Sequence, residues 1–190
     1  MNQNFNTPAQ SPKNPENTGV AATINGLCAT VVDYPSEGIV FKDLTPVFAD
    51  GAALKEVVDA IVEKFAGTFD AVAGVEARGF LLAAAAAYAT GTGVITIRKA
   101  GKLPREVYAQ NYSLEYGEAT LELHQDDVPA GTRVLILDDV LATGGTLGAA
   151  AALLERTGAH VAGIGVVLEI DALPGRANLA AHNVVSLLHV

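Results

Sequence analysis

The chain has 190 residues, enough for one domain with a sizeable core, and 50% of them are hydrophobic with 19 glycines, the balance of a compact α/β enzyme. Its net charge of −9 excludes a general nucleic-acid surface, and the single Cys28 excludes an intrachain disulfide and, within its apolar pattern, predicts a buried thiol. The polar N-terminus and the shortness of the alanine-rich run after Phe80, which Gly91 and Gly93 follow, give no signal peptide or membrane span, so a cytoplasmic protein without membrane contact is expected.

Residues 1–18, rich in Asn, Pro, Gln and Ser, are expected to be a disordered tail, leaving 19–190 as the domain. Over 20–32 the apolar residues Ala21, Ile24, Leu27, Cys28 and Val31 recur at helical spacing, and Tyr34-Pro35 would end that helix. A turn-rich segment with an apolar run at Ile39, Val40 and Phe41 follows. Then Leu54, Val57, Val58, Ile61, Val62 and Phe65 form one stripe of a second helix. Strands are expected at 71–75, 94–97, 134–137, 161–168 and 184–188, with helices near 80–88, 146–156 and 173–180. That alternation predicts an α/β fold with a mostly parallel sheet covered on both faces. The excursion 99–127 has hairpin character at 112–124, and is expected to stand off the sheet as a mobile flap.

Three strand ends carry chemistry. After the apolar run 134–137 come Asp138 and Asp139, then Ala142, Thr143, Gly144, Gly145 and Thr146 leading into a helix. A strand, a tight glycine loop and a helix N-terminus suit a phosphate, and paired carboxylates beside it suit the hydroxyls of a ribose. There is no lysine at the P-loop position, which argues against a nucleoside triphosphate site of that type. A bare Thr-Gly-Gly-Thr would be read as an ordinary turn and helix start; the Asp-Asp pair in register with the strand favours the phosphate. The second strand end is Glu76-Ala77-Arg78-Gly79, where an arginine and free N–H groups could grip a pyrophosphate. The third is a basic cluster, with Arg98, Lys99, Lys102 and Arg105 supplying four of the 12 cations. Such a cluster on an acidic chain suggests local capture of an anionic small molecule. His124, His160, His182 and His189 show no metal-ligand spacing, so a protein-held metal is not expected.

The Asp-Asp loop resembles the signature by which type I phosphoribosyltransferases bind phosphoribosyl pyrophosphate (PRPP). Four further stretches resemble the adenine branch of that family: Tyr34, Pro35, Gly38, Ile39, Phe41, Asp43, Thr45 and Pro46; Arg78-Gly79-Phe80; Ile97 through Pro104; and Tyr112 to Gly117. Leu168, Glu169, Leu173, Gly175 and Arg176 fit a late motif. The resemblance implies a type I phosphoribosyltransferase-like fold with a small N-terminal hood and a flexible flap. It implies a homodimer that joins adenine to PRPP, giving AMP and pyrophosphate in purine salvage. It assigns Val40, Phe41 and Lys42 to the adenine pocket, with Ile170 opposite the phenyl ring. It gives pyrophosphate to Arg78, Glu76, Ala77 and Lys102, with Arg98 and Lys99 beside them. Asp138 and Asp139 would take the ribose hydroxyls, residues 142–146 the 5′-phosphate, and Glu115 on the flap would be the acid/base. Mg²⁺ would be carried mainly by the substrate's own oxygens.

The chain departs from the family pattern at Ala77, where serine is frequent, at Lys42, where arginine is, and at Ala83, where glycine is. Two rival readings remain at this level. A transferase for hypoxanthine or xanthine would share the Asp-Asp loop, and a PRPP-sensing regulator would share it but need a DNA-binding appendage.

Overall fold

The computed structural model describes residues 19–113 and 117–190. The expected disordered tail, residues 1–18, and the candidate acid/base Glu115 lie outside the described residues. In chain order the elements are α1 (Val20–Leu27), β1 (Ala29–Val32), β2 (Val40–Asp43), α2 (Thr45–Ala49), α3 (Gly51–Lys64), β3 (Ala71–Val75), α4 (Gly79–Thr90) and β4 (Gly93–Lys99). They continue with β5 (Val107–Ser113), β6 (Glu118–His124), β7 (Arg133–Leu141), α5 (Gly145–Arg156), β8 (His160–Glu169), α6 (Gly175–Asn178) and β9 (Val184–His189).

A seven-stranded sheet in the order β5-β6-β4-β3-β7-β8-β9 forms the middle layer. The run from β4 to β9 is parallel, as expected, and β6 and β5 are antiparallel. The period-2 alternation of β7 shows why both faces must be covered. Val134 and Ile136 enter the core under α5 with Leu147 and Leu153, whereas Leu135 and Leu137 enter the opposite core with Val57, Ile61 and Leu82 of α3 and α4. α3 starts where its sequence provides a cap: the Asp50 carboxylate accepts from the backbone N–H groups of Ala52 and Ala53, both at 2.9 Å. At the amino ends of the central strands, Arg133 donates to Asp70 through Nε at 2.9 Å and so holds that carboxyl down at about 2, joining the start of β3 to β7 at the end of the sheet remote from the candidate loops. Among the described residues no helix is long and apolar enough to cross a membrane.

Four expectations are corrected. The first helix does not run over 20–32; it ends at Leu27, and Ala29–Val32 pairs antiparallel with β2 as a two-stranded hood. Thr30, Val31 and Val32 are β-branched, and strand pairing overrides the helical spacing that Val31 happens to continue. The hairpin of β5 and β6 does not stand off the sheet. Arg98 and Lys99 of β4 pair with Glu122 and Leu121, and Arg156 of α5 lies 4.8 Å over the Tyr108 ring, so the hairpin extends the sheet at its edge. The helix expected at 173–180 shrinks to Gly175–Asn178, because Pro174 stands at its start and a turn follows. Cys28 is half-buried, not buried, at the joint between α1 and the hood; burial is still the largest influence on its thiol and raises it above the ordinary value.

Candidate active site

The loop after β7 is built for an oxyanion. Gly144 takes the left-handed conformation (φ 82°) that turns the chain into α5, and no side chain caps that helix. The first helical bond runs from Gly148 N–H to Gly144 C=O at 2.8 Å, which leaves the amides of Gly145, Thr146 and Leu147 open at the N-terminus. A cavity of about 70 Å³ lies there, lined by Asp138, Val140 and residues 141–147. Open amides at a helix N-terminus around a space of that size suit a phosphate. The short helix α6 holds the loop in shape. A Cβ on Gly175 would come within 2.2 Å of the Ala142 carbonyl oxygen, and Asn178 Nδ2 donates to the Thr143 carbonyl at 2.8 Å. Sequence reasoning assigned no role to Asn178, and only the packing of α6 reveals it.

Asp138 and Asp139 are both buried at the end of β7. The Asp138 carboxylate accepts from the Asp139 N–H at 2.9 Å. Burial first, and then the charge of Asp139, push the Asp138 carboxyl well above the usual carboxylate range. Asp139 instead faces Arg78: its Oδ2 lies 2.9 Å from Arg78 Nε, a charge pair off the hydrogen-bond line, so that oxygen is buried with no donor. An acceptor left in that state has a ligand's hydroxyl as its natural partner.

Arg78 sits in the loop after β3, beside a cis Glu76–Ala77 peptide. It is brought to Asp139 because Gly79 opens α4 against the end of β7, where a Cβ would come within 2.6 Å of the Leu137 carbonyl oxygen. The guanidinium also lies 3.9 Å from Asp43 and 6.0 Å from the Phe41 ring centroid, so one side chain links Asp139 to the hood. Thr45, through its backbone and side-chain hydrogen bonds, is what lowers the Asp43 carboxyl.

The basic cluster divides in two. Arg98 Nε pairs with Glu76 at 3.3 Å, and the same Glu76 oxygen accepts the Lys99 N–H at 3.0 Å, so Glu76 anchors the cluster from the loop side. Arg105 is engaged with Asp127 at 2.6 Å, at the base of the hairpin. Lys102 is exposed, and neither it nor Lys99 has an ion pair among the described residues. Those two ammonium groups are the ones open to an incoming anion. Ala77 is exposed in the same loop.

A cavity of about 360 Å³ opens between the hood and the ends of β7 and β8. Val40, Phe41, Lys42 and Ile170, the four residues assigned to the base, all line it. Ile39, Val140, Leu168, Ala172 and Val190 complete the wall, and Val140 also borders the cavity at the loop after β7. Ile39 and Leu168 belong to motifs read in the sequence; Val140 and Ala172 were given no role there but adjoin motif residues, whereas nothing local marks Val190. Tyr34 packs edge-on to Phe41 with ring centroids 5.2 Å apart, and Lys42 Nζ donates to Thr30, so the hood braces its own pocket face. Among the described residues, Glu169, Asp171 and His189 gather their ligating atoms within 4.8 Å of one another. Glu169 is already taken by Arg176 and Ser186, and a guanidinium on the carboxylate opposes a cation there.

The phosphoribosyl transferase domain model matches residues 46–185. The adenine phosphoribosyltransferase of Arthrobacter sp. (strain FB24) is 74% identical over 167 residues, 88% of this chain and 90% of that protein. The crystal structure of adenine phosphoribosyltransferase from Thermoanaerobacter pseudethanolicus superposes with a TM-score of 0.86 at 42% identity, covering 90% of this chain and 99% of that one. The Saccharomyces cerevisiae enzyme, complexed with an imino-altritol bisphosphate and adenine, gives 0.84 at 37% identity over 89% and 98%.

The buried Asp138 has a stability consequence. A carboxyl raised in the folded state loses stability as pH climbs from the ordinary value of 3.8 through the folded one. Asp138→Asn keeps an acceptor for the Asp139 N–H and removes the charge, so its Tm at pH 7 should exceed that of the parent, with the gap narrowing toward about pH 4. Calorimetry at both pH values checks this, and a lower Tm at pH 7 would refute it.

Proposed function

This chain belongs to the phosphoribosyltransferase family, and we infer that it transfers the phosphoribosyl group of PRPP to adenine, giving AMP and pyrophosphate in purine salvage. The observation that carries the reading is the junction at Val140 of two cavities, one with open helix amides and one apolar. The apolar one falls in the size range of small-ligand pockets, about 300–1,000 Å³. A base and a phosphate held on either side of paired carboxylates describe a nucleotide. Residues 19–190 are the catalytic unit in this reading, which acts in the cytoplasm.

PRPP enters with its 5′-phosphate on the amides of 144–147 and its ribose hydroxyls on Asp138 and Asp139. Arg78, Lys99 and Lys102 face the pyrophosphate, while Arg98 and Glu76 hold the cluster and Ala77 contributes backbone. Phe41 and Ile170 sandwich the adenine, and Val40 and Lys42 flank it. Mg²⁺ would arrive on the pyrophosphate and ribose oxygens of PRPP and would neutralise charge on the departing pyrophosphate. As the bond from C1 to pyrophosphate lengthens, Arg78 and Lys102 draw off the negative charge and the strand-end carboxylates face the positive ring. Nitrogen of the base forms the new bond and its proton passes to Glu115, the general base of this scheme.

Homodimerisation belongs to the same proposal. The outer face of α4 leaves Leu81 53% and Tyr88 92% exposed, two large apolar residues on one side of the helix. Tyr88→Glu should shift the protein from dimer to monomer in sedimentation velocity; a parent that already sediments as a monomer would refute the dimer.

Adenine should exceed hypoxanthine in kcat/KM by up to about 10⁴-fold, since a site that pairs with an amino group strands buried polar groups against an oxo group. Assays with adenine, hypoxanthine, guanine and xanthine test this, and equal turnover of adenine and hypoxanthine would contradict it. Glu115→Gln should slow the single-turnover chemical step by about 10² to 10⁴. Glu118→Gln, on the exposed start of β6, should stay near the parent. An equal fall in both variants, or in neither, removes Glu115 from the scheme.

A further inference from the structure

The ends of β8 and β9 form a thin partition between two cavities. Leu168, Ile170 and Ala172 line the base cavity, whereas Glu169, Asp171 and Leu173 line a separate cleft of about 760 Å³. The alternation of β8 sends Leu168 and Glu169 to opposite sides; beyond it the chain turns, with Leu173 N–H donating to the Ile170 carbonyl at 3.1 Å, and the turn presents Asp171 and Leu173 to the cleft. The end of β9 obeys the same rule: His189 faces the cleft and Val190 faces the base cavity. Val190 is fixed at this place from two directions. Its N–H donates to the Glu169 carbonyl at 3.0 Å, and its carbonyl accepts the Asp171 N–H at 2.8 Å. On the cleft side His189 Nδ1 meets the Asp171 carboxylate at 2.8 Å, tying the two chain ends across the partition.

We propose that Val190 is a specificity-determining wall of the adenine pocket, held at its depth by the His189–Asp171 pair. The proposal rests on the assignment of that cavity to the base. In it, the segment carrying Ile170 and Ala172 is braced by β7 on one side, where Ile170 N–H donates to the Leu141 carbonyl at 3.0 Å, and by Val190 on the other. One boundary of the volume open to substituents on the purine is therefore set by Val190, the residue that follows β9, an edge strand that carries none of the groups proposed for phosphate or ribose. Val190 is 42% exposed, so its side chain can be enlarged or removed with little disturbance of the core. His189 is a positioning residue: it lines the cleft and not the base cavity, and it acts through the strand end.

The test is steady-state kinetics with adenine, a panel of mono-methylated adenines and PRPP, on the full chain and its variants. Val190→Phe fills the cavity and should raise KM for adenine at least tenfold, the effect of about one misplaced methylene or more, with KM for PRPP within about twofold. Val190→Gly should raise kcat/KM for at least one methylated adenine relative to adenine itself. His189→Ala should raise KM for adenine a few-fold, and His189→Asn, whose amide donates from near the Nδ1 position, should restore it. Thermal melts of all variants report whether each is folded. Adenine turnover by the parent establishes the base assignment independently, so a folded Val190→Phe with unchanged adenine KM, or one that shifts both substrates equally, overturns this inference alone. If the parent turns over no adenine, the base assignment fails first.

Discussion

The pairing of Arg78 with Asp139 is the contact on which the site depends. It joins the loop after β3 to the end of β7 at 2.9 Å, and the same guanidinium reaches Asp43 and Phe41 of the hood. Without substrate each partner neutralises the other: the side chain of Asp139 is 11% exposed and that of Arg78 35%. A buried carboxylate beside a second acidic group is costly unless a cation or donors face it. In the proposed scheme PRPP would supply both kinds of replacement partner, hydroxyl donors for Asp139 and phosphate oxygens for Arg78. Binding in that scheme would be an exchange of partners within a site already charged, with the aligned strands keeping the groups in register for it.

Close backbone approach makes the exchange possible. Gly79 lets α4 begin against β7, and Gly175 lets α6 press on the loop that holds the open amides. Both are places where side-chain volume would separate the elements. The loop with open amides is thus held by elements that approach where Cβ atoms are missing, while the cavity proposed for the base is faced by a hood of four-residue strands built on separate backbone. The sheet edge at β9 adds the far wall of that pocket. In the proposed function phosphate binding and base selection would accordingly rest on different parts of the fold, and substitutions in one need not disturb the other.

The residues that could be read from sequence are those whose role is local. The β7 strand, its acidic pair and the glycine loop lie in one continuous stretch, so periodicity and spacing reveal them together. Arg78 was legible for the same reason, as a cation at the end of a short apolar run. Its engagement with Asp139 was not, since 61 positions separate the two and only the adjacency of β3 and β7 joins them. The hood strand β1 was misread because Val31 continues a helical spacing, while its pairing with Phe41, ten residues on, depends on the intervening turn. Val190 and Asn178 carry no motif at all; each acquires its place from a neighbouring element. Glu115 rests on resemblance alone.

The most direct measurement is a crystal structure of the chain with AMP bound. The expected density has the phosphate on the amides of 144–147, a ribose hydroxyl on Asp139 Oδ2, and the purine between Phe41 and Ile170 against Val190. AMP seated instead in the cleft of Arg176, His182 and His189, with the loop after β7 vacant, would contradict the account.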